Sequence, residues 1–543
     1  MSQQLYYNGT IITVNNDMPE AEAVLVDGET IKAVGSLADV EAQAAADAQK
    51  IDLAGKVLLP GFVDGHSHIT FSRLFPRFDA PPIGEVDSRE KLIEAGRDYL
   101  EKNPMQGDGW LVGMGYDNIA FADHKHPTKE DIDKISTEVP IVMMHSSGHI
   151  GVCNSKVLEI VGITNDTPDP EGGIFQRDLQ TGEITGVCEE NALTQVVLMK
   201  MPMPTPEFMA AGVLRSQALY FENGVTTAQD GTFDPNLLPL LQGLNKQGAL
   251  KIDIYGYPTL DSPNHDYMLD KRTSEQHYEN GVRLAGVKMF LDGSPQAKTA
   301  WLTEPYYKVP EGEADDYRGY PVYPDDDKVC NFFKETLTSG LQLLVHCNGD
   351  AAIDQYITQY ARAQKETGIT EALRPIVIHC QTVREDQLDR MQEIGMMPSY
   401  FHDHVLFWGD WHLDSVLGPE RGRRISPLAS SVKRGMPFSL HQDCPVAPPN
   451  MVLAIHNAVN RKTQSGRDIG PEFAIDPMEA IRAVTIYAAY GCFEEDTKGS
   501  IEAGKLADFV ILDKDPRAVE KMAIRDIKVM ETIKKGESVY KAE

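Results

Sequence analysis

The chain has 543 residues, 42% of them hydrophobic, with 44 glycines and 33 prolines, a composition that excludes a disordered or fibrous protein and predicts one large domain with smaller ones beside it. Its 51 basic residues against 81 acidic ones leave a formal charge of −30, which favours solubility and argues against nucleic acid, whose phosphates need a basic footprint. Seven cysteines without a CxxC pair fit reduced thiols rather than a disulfide framework. No run of about 18 apolar residues predicts a membrane span, and the first residues lack the basic and apolar regions of a signal peptide, so the expectation is a cytoplasmic protein.

In chain order, residues 1–57 read as short strands joined by turns, with Asn8-Gly9 and Asp27-Gly28 each interrupting β-forming residues. Residues 499–543 repeat the pattern, with an apolar run at 509–512 and a hairpin around Lys534-Lys535-Gly536. Neither end is long enough to bury a core of its own. The economical solution joins 1–57 and 499–543 in one small β-sandwich. Across 58–498, compact apolar runs alternate with helix-length stretches, at 58–64, 224–228, 251–255, 284–290, 342–346, 375–379, 396–399 and 437–441. Such runs predict parallel strands covered on both faces, and eight of them predict an α/β fold, a (β/α)8 TIM-type barrel. Roughly 150 residues separate the first run from the second, where one βα unit needs about 30. Residues 75–210 are therefore expected to be a large insertion after the first barrel strand, with a strand at 140–145 and a hairpin across 173–187.

His66-Ser67-His68 follows directly on the first run. Alternate residues of a strand point the same way, so both imidazoles can bind one metal. An isolated HxH is also compatible with two surface histidines. His346, His379 and Asp443, however, stand at the C-terminal ends of three further expected strands, where barrel enzymes place their active sites. Lys288 lies inside an apolar run. Facing the interior, it would be costly as a cation, and burial beside a metal would leave a neutral amine able to take up CO2 as a carbamate ligand. An outward lysine, or one paired with a carboxylate, remains open at this point.

Pro60-Gly61-Phe62-Val63-Asp64-Gly65-His66-Ser67-His68 resembles the amidohydrolase superfamily signature at the first barrel strand, and Lys288, His346, His379 and Asp443 match its remaining ligand positions in order. Segments 287–294, 346–354, 404–412 and 146–155 resemble the amidohydrolase family 3 branch of YtcJ-like and N-substituted formamide deformylase-like enzymes. The resemblance covers essentially the whole chain. In two departures from the branch, His441-Gln442 precedes Asp443 where a small residue is usual, and Ala297 stands where glycine is expected.

The resemblance implies a metal-dependent hydrolase acting on an amide-type C–N bond of a small molecule, an N-substituted formamide, N-acyl compound or related amide. His66, His68, His346, His379 and carbamylated Lys288 would hold one or two divalent ions, with zinc the expected metal. Metal lowers the pKa of bound water from about 16 toward 7. Asp443, also touching the metal, would accept the water proton and pass it to the departing nitrogen. His149 and His404 are expected to meet polar groups of the substrate, and Trp301 and Trp408 to line its pocket. The same site can serve ester, lactone or deaminase chemistry, although deaminases of this superfamily usually lack the lysine. A catalytically dead binding protein has little use for six filled ligand positions. His124, His126, His265, His277 and His456 receive no role, and Cys347, Cys380 and Cys444 are unnecessary as nucleophiles on the metal route. A homodimer is the expected assembly.

Overall fold

The computed structural model describes residues 3–81, 83–105, 107, 109–202, 204–260, 278–371 and 373–543. His265 and His277 lie outside the described residues. Each of the eight apolar runs contains a strand: Phe62–Asp64, Val225–Asp230, Asp253–Gly256, Val282–Leu284 continuing as Gly286–Phe290, Gln342–Cys347, Ile376–His379, Met397–Tyr400 and Ser439–Leu440. Successive strands pair in parallel. Ala285 joins the two halves of the fourth run, one half pairing with Asp253–Gly256 and the other with Gln342–Cys347. Val225–Asp230, Gln342–Cys347 and Ile376–His379 are buried at every position. Both of their faces are covered, so the apolar residues of Gln342–Cys347 and Ile376–His379 stand in sequence as short runs rather than alternating with polar ones.

The barrel closes where its first and last strands meet. A Cβ on Gly65 would fall 2.6 Å from Ser439 Oγ, so this close approach requires glycine. Just beyond the seam, the Asp443 N–H donates to the His66 carbonyl at 3.2 Å and the His68 N–H to the Cys444 carbonyl at 2.8 Å. These bonds tie the two strand ends that carry the expected metal ligands. Outside the barrel, helix Asp350–Thr367 buries Ile353, Tyr356, Ile357 and Tyr360, the spacing of a stripe one helical face wide. Helix Pro206–Glu222 begins at Thr205, whose side chain accepts from the Phe208 N–H.

Strands from both ends of the chain share one eight-stranded sheet, in which Phe509–Leu512 pairs antiparallel with Val57–Pro60. This sheet meets the base of the barrel at a buried charge cluster: Asp253 accepts from Lys498 at 2.9 Å and Lys534 at 2.7 Å, and Lys534 also reaches Asp508 at 2.6 Å. Between the first and second barrel strands runs a five-stranded sheet, ordered Gly173–Arg177, Ile184–Glu190, Ile150–Cys153, Ile141–His145 and Leu111–Tyr116. Its apolar side chains form separate clusters around Ile132 and Leu193. All seven cysteines are free and buried. No helix among the described residues is long and apolar enough to cross a membrane.

Candidate metal centre

His66 and His68 leave the first barrel strand with their rings held from behind. His66 Nδ1 lies 2.6 Å from Gln229 Oε1, and His68 Nδ1 lies 3.0 Å from Thr232 Oγ1. With Nδ1 engaged, each ring presents Nε2 inward, and both meet Asp443 Oδ1, at 3.5 Å and 3.2 Å. That oxygen is buried and has no hydrogen-bond partner. Lys288 Nζ is 3.2 Å from His66 Nε2 and fully buried. Ligand atoms about 2.0–2.1 Å from a tetrahedral zinc ion lie about 3.3 Å apart. The separations in this group are therefore those of ligands sharing an ion, and an unpaired buried carboxylate oxygen facing two imidazole nitrogens is the donor set a divalent cation satisfies. Among the described residues, His66, His68 and Asp443 make the one cluster of three ligand-type side chains.

His346 and His379 line the same chamber. Their rings are 4.5 Å apart, and the His379 ring is 5.5 Å from that of His66. His346 Nδ1 is 3.2 Å from Asp292 Oδ1, and the Asp292 carboxylate also accepts three backbone N–H groups, from Trp301, Asn348 and Gly349. His379 Nδ1 is 3.1 Å from His441 Nε2, and His441 Nδ1 is 2.8 Å from Ser399 Oγ. His379 and Asp443 adopt left-handed backbone, with φ of 69° and 53°. Such conformations cost a non-glycine residue of order 1–3 kcal/mol and gather at functional sites. Gly231 supplies the space for the first ligand, since a Cβ there would sit 2.1 Å from His66 Cε1.

Burial sets the charge state of the chamber. It pushes His66, His346 and His379 well below the usual histidine range, leaving neutral rings with free lone pairs. Burial also brings Lys288 down to about 7, so a substantial fraction of its amine is unprotonated at neutral pH. Burial works against the charge on Asp443, but contact with His68 and the nearby His441 and Lys288 outweigh it and hold the carboxyl below its ordinary range. The chamber thus combines neutral nitrogens, one amine and one carboxylate.

Residues 49–540 match the model of the amidohydrolase family. The chain belongs to the amidohydrolase family. Among curated relatives, YtcJ of Bacillus subtilis (strain 168) is 24% identical over 99% of both chains. The N-substituted formamide deformylase of Arthrobacter pascens is 26% identical over 99% of this chain and 98% of its own. Protein LONG AFTER FAR-RED 3 of Arabidopsis thaliana is 29% identical over 94% of this chain and 86% of its own. Among solved structures, an uncharacterized metal-dependent hydrolase from Pyrococcus horikoshii superposes with a TM-score of 0.75 at 23% identity, covering 96% of this chain and 99% of its own. That likeness speaks for the fold, a TIM-type barrel with an accompanying β-domain.

In this amidohydrolase, two further imidazoles stand around the cluster. His149, from the segment between the first two barrel strands, packs its ring 4.8 Å from that of His346, and Glu190 Oε2 holds its Nδ1 at 2.7 Å. Burial disfavours the His149 cation, yet Glu190 outweighs it and lifts the pKa above its usual value. His404 is gripped between Phe401 and Trp408, at 4.7 Å and 4.6 Å between ring centroids. The Trp408 indole N–H donates to Asp117 Oδ2 at 2.9 Å, and its ring borders a cavity of about 330 Å3 with Phe407, Trp411 and Asp117. Trp301 sits elsewhere. The residue borders a groove of about 370 Å3 with Arg318, Asp354 and Gln355, which none of the metal-site residues lines.

Gln229, Thr232, Asp292, Glu190, His412 and His441 escaped the sequence reading as working residues. Asp292 and His412 lie inside the segments that carry the family resemblance, and His441 is one of the two departures. Those were available signals. Gln229 and Thr232 have none beyond their place at the end of the second barrel strand.

Proposed function

We propose that the protein is a metal-dependent amidohydrolase that cleaves an amide-type C–N bond in a small molecule, an N-substituted formamide, N-acyl compound or related amide. The observation that carries this reading is the unpaired, buried Asp443 Oδ1 facing the Nε2 atoms of His66 and His68, with the Lys288 amine alongside. In this proposal His66, His68, His346, His379 and Asp443 hold one or two zinc ions, and Lys288 completes the set as a carbamate. Bound zinc supplies the Lewis acidity that activates water and polarises the acyl oxygen.

The chain's own groups do the rest. Asp443 takes the proton of the attacking water on its carboxylate and delivers it to the nitrogen that leaves as an amine. Its carboxylate is ionised at neutral pH, so it has the free oxygen that the first task requires. The Lys288 amine, partly neutral near pH 7, has the lone pair that carbamate formation requires. His149 and His404 meet polar groups of the substrate. A cytoplasmic homodimer goes with this proposal.

The test is elemental analysis of purified protein, wild type beside Lys288→Ala, followed by an amide and formamide screen. About two zinc ions per chain, falling sharply in the variant, together with turnover of an amide, is the expected result. About one ion in both proteins removes Lys288 from the site and favours ester or deaminase chemistry. A wild type that takes up no metal when zinc is supplied refutes the proposal.

A further inference from the structure

His404 does not stand alone. Its Nδ1 lies 3.0 Å from Nε2 of His412, eight residues on. Both rings are buried, at 2% and 0% exposure, and they meet edge to edge, 27° from parallel with centroids 5.3 Å apart. Burial pushes the pKa of both histidines far down, that of His412 to about 3, so the pair is neutral and shares a single proton between the facing nitrogens. A neutral imidazole carries one N–H and one lone pair. The direction of the shared hydrogen bond therefore decides which kind of atom each ring presents at its other end.

There are two arrangements. If His404 donates from Nδ1, His412 must carry its own proton on Nδ1, and His404 Nε2 is a bare acceptor. If His412 donates from Nε2, its Nδ1 is a bare lone pair and His404 carries its proton on Nε2. The outer end of His412 settles the choice, because its Nδ1 is buried and has no hydrogen-bond partner. A buried N–H without an acceptor is rarer and costlier than an acceptor left under-satisfied. The second arrangement avoids the orphaned donor. The His404 Nε2 that results has no protein partner among the described residues; Phe401 packs against His404, His441 and His379 together, so the His404 ring borders the metal chamber and Nε2 is the edge that His412 leaves free.

We propose that His412 is a positioning residue that holds His404 as its Nε2–H tautomer, making His404 a neutral hydrogen-bond donor aimed into the metal chamber and matched to an acceptor oxygen of the substrate. The donor cannot be lost at working pH, unlike that of an imidazolium, and it adds no charge beside the cation site. Phe401, edge-on at 4.7 Å, and Trp408, tilted at 4.6 Å, pack against the ring and hinder it from turning. That the acceptor is an acyl oxygen rests on the amidohydrolase reading; the tautomer does not.

The tautomer is read directly, without substrate, from nitrogen-15 spectra of the zinc-reconstituted full chain labelled at histidine, with the His404 signals identified by their loss in His404→Gln. The expected spectrum has His404 protonated at Nε2 and bare at Nδ1. His412→Gln keeps this pattern, because a carboxamide nitrogen can still donate to Nδ1. His412→Glu reverses it, because a carboxylate only accepts and draws the proton to Nδ1. A wild-type His404 protonated at Nδ1 overturns the proposal, as does a His404 pattern unchanged in folded His412→Glu. Failure of the metal and turnover assays with the Nε2–H pattern intact would instead count against the hydrolase reading alone.

Discussion

Gln229 offers the sharpest test of how this site is built. Its Oε1 accepts from His66 Nδ1 at 2.6 Å in a fully buried setting, which fixes the proton on Nδ1 and leaves the Nε2 lone pair facing Asp443 and Lys288. Gln229→Leu removes the acceptor while nearly preserving volume. The Nδ1–H is then buried and unpaired, at a cost of about 1–3 kcal/mol, which the ring can escape by moving its proton to Nε2 and surrendering its lone pair. Either route weakens metal binding. Loss of the hydrogen-bond partner behind a ligating histidine costs about 10–100-fold in affinity, equivalent to about 1.4–2.8 kcal/mol, so the two routes to the magnitude agree. Thr232→Val, behind the less buried His68 at 3.0 Å, should cost less, and Gln229→Glu, which still accepts, should bind metal nearly as the wild type does. The assay is competition against a chromophoric chelator at constant pH, with circular dichroism to check the fold. Unchanged zinc affinity in a folded Gln229→Leu protein would refute the assignment of His66 Nε2 as the ligand atom.

Asp443→Asn should retain most of its metal, since His66 and His68 keep their geometry, yet lose about 10²–10⁴-fold in kcat because the amide cannot accept a proton; metal content and turnover are measured on the same preparation. Asp253→Asn removes the carboxylate that Lys498 and Lys534 share; Glu494 still pairs with Lys498 and Asp508 with Lys534, so unfolding stability should fall by about 1–3 kcal/mol, read by chemical denaturation. Lys288 gives a pH signature in the metal-free protein. Its folded pKa of about 7 lies below the ordinary lysine value of 10.5, so between those values the unfolded chain binds a proton that the folded chain lacks. The contribution of Lys288 to stability therefore rises with pH through that window. Thermal melts at successive pH values should show this slope in the wild type and its loss in Lys288→Met; parallel profiles would contradict it.

The sequence by itself determined the frame. Strands covered on both faces are rich in apolar residues, so eight such runs announced eight barrel strands. Ligand-type side chains at the ends of several of them announced where chemistry belongs. His66, His68 and Asp443 were legible in this way because their place depends on strand position and residue type alone. What only the tertiary structure decided is orientation and partnership. Lys288 was open, because one residue of register turns a strand side chain to the opposite face; the fold buries it against His66. Trp301 reads as a pocket wall in the sequence; in the fold it packs against the barrel core and borders a groove that no metal-site residue lines. The groups that hold the imidazoles, Gln229 behind His66, Thr232 behind His68, Asp292 behind His346 and Glu190 behind His149, lie 163, 164, 54 and 41 residues from their partners. No local pattern links positions so far apart, because hydrogen bonds of this kind are specified by distance in space, and that distance exists only once the barrel has closed.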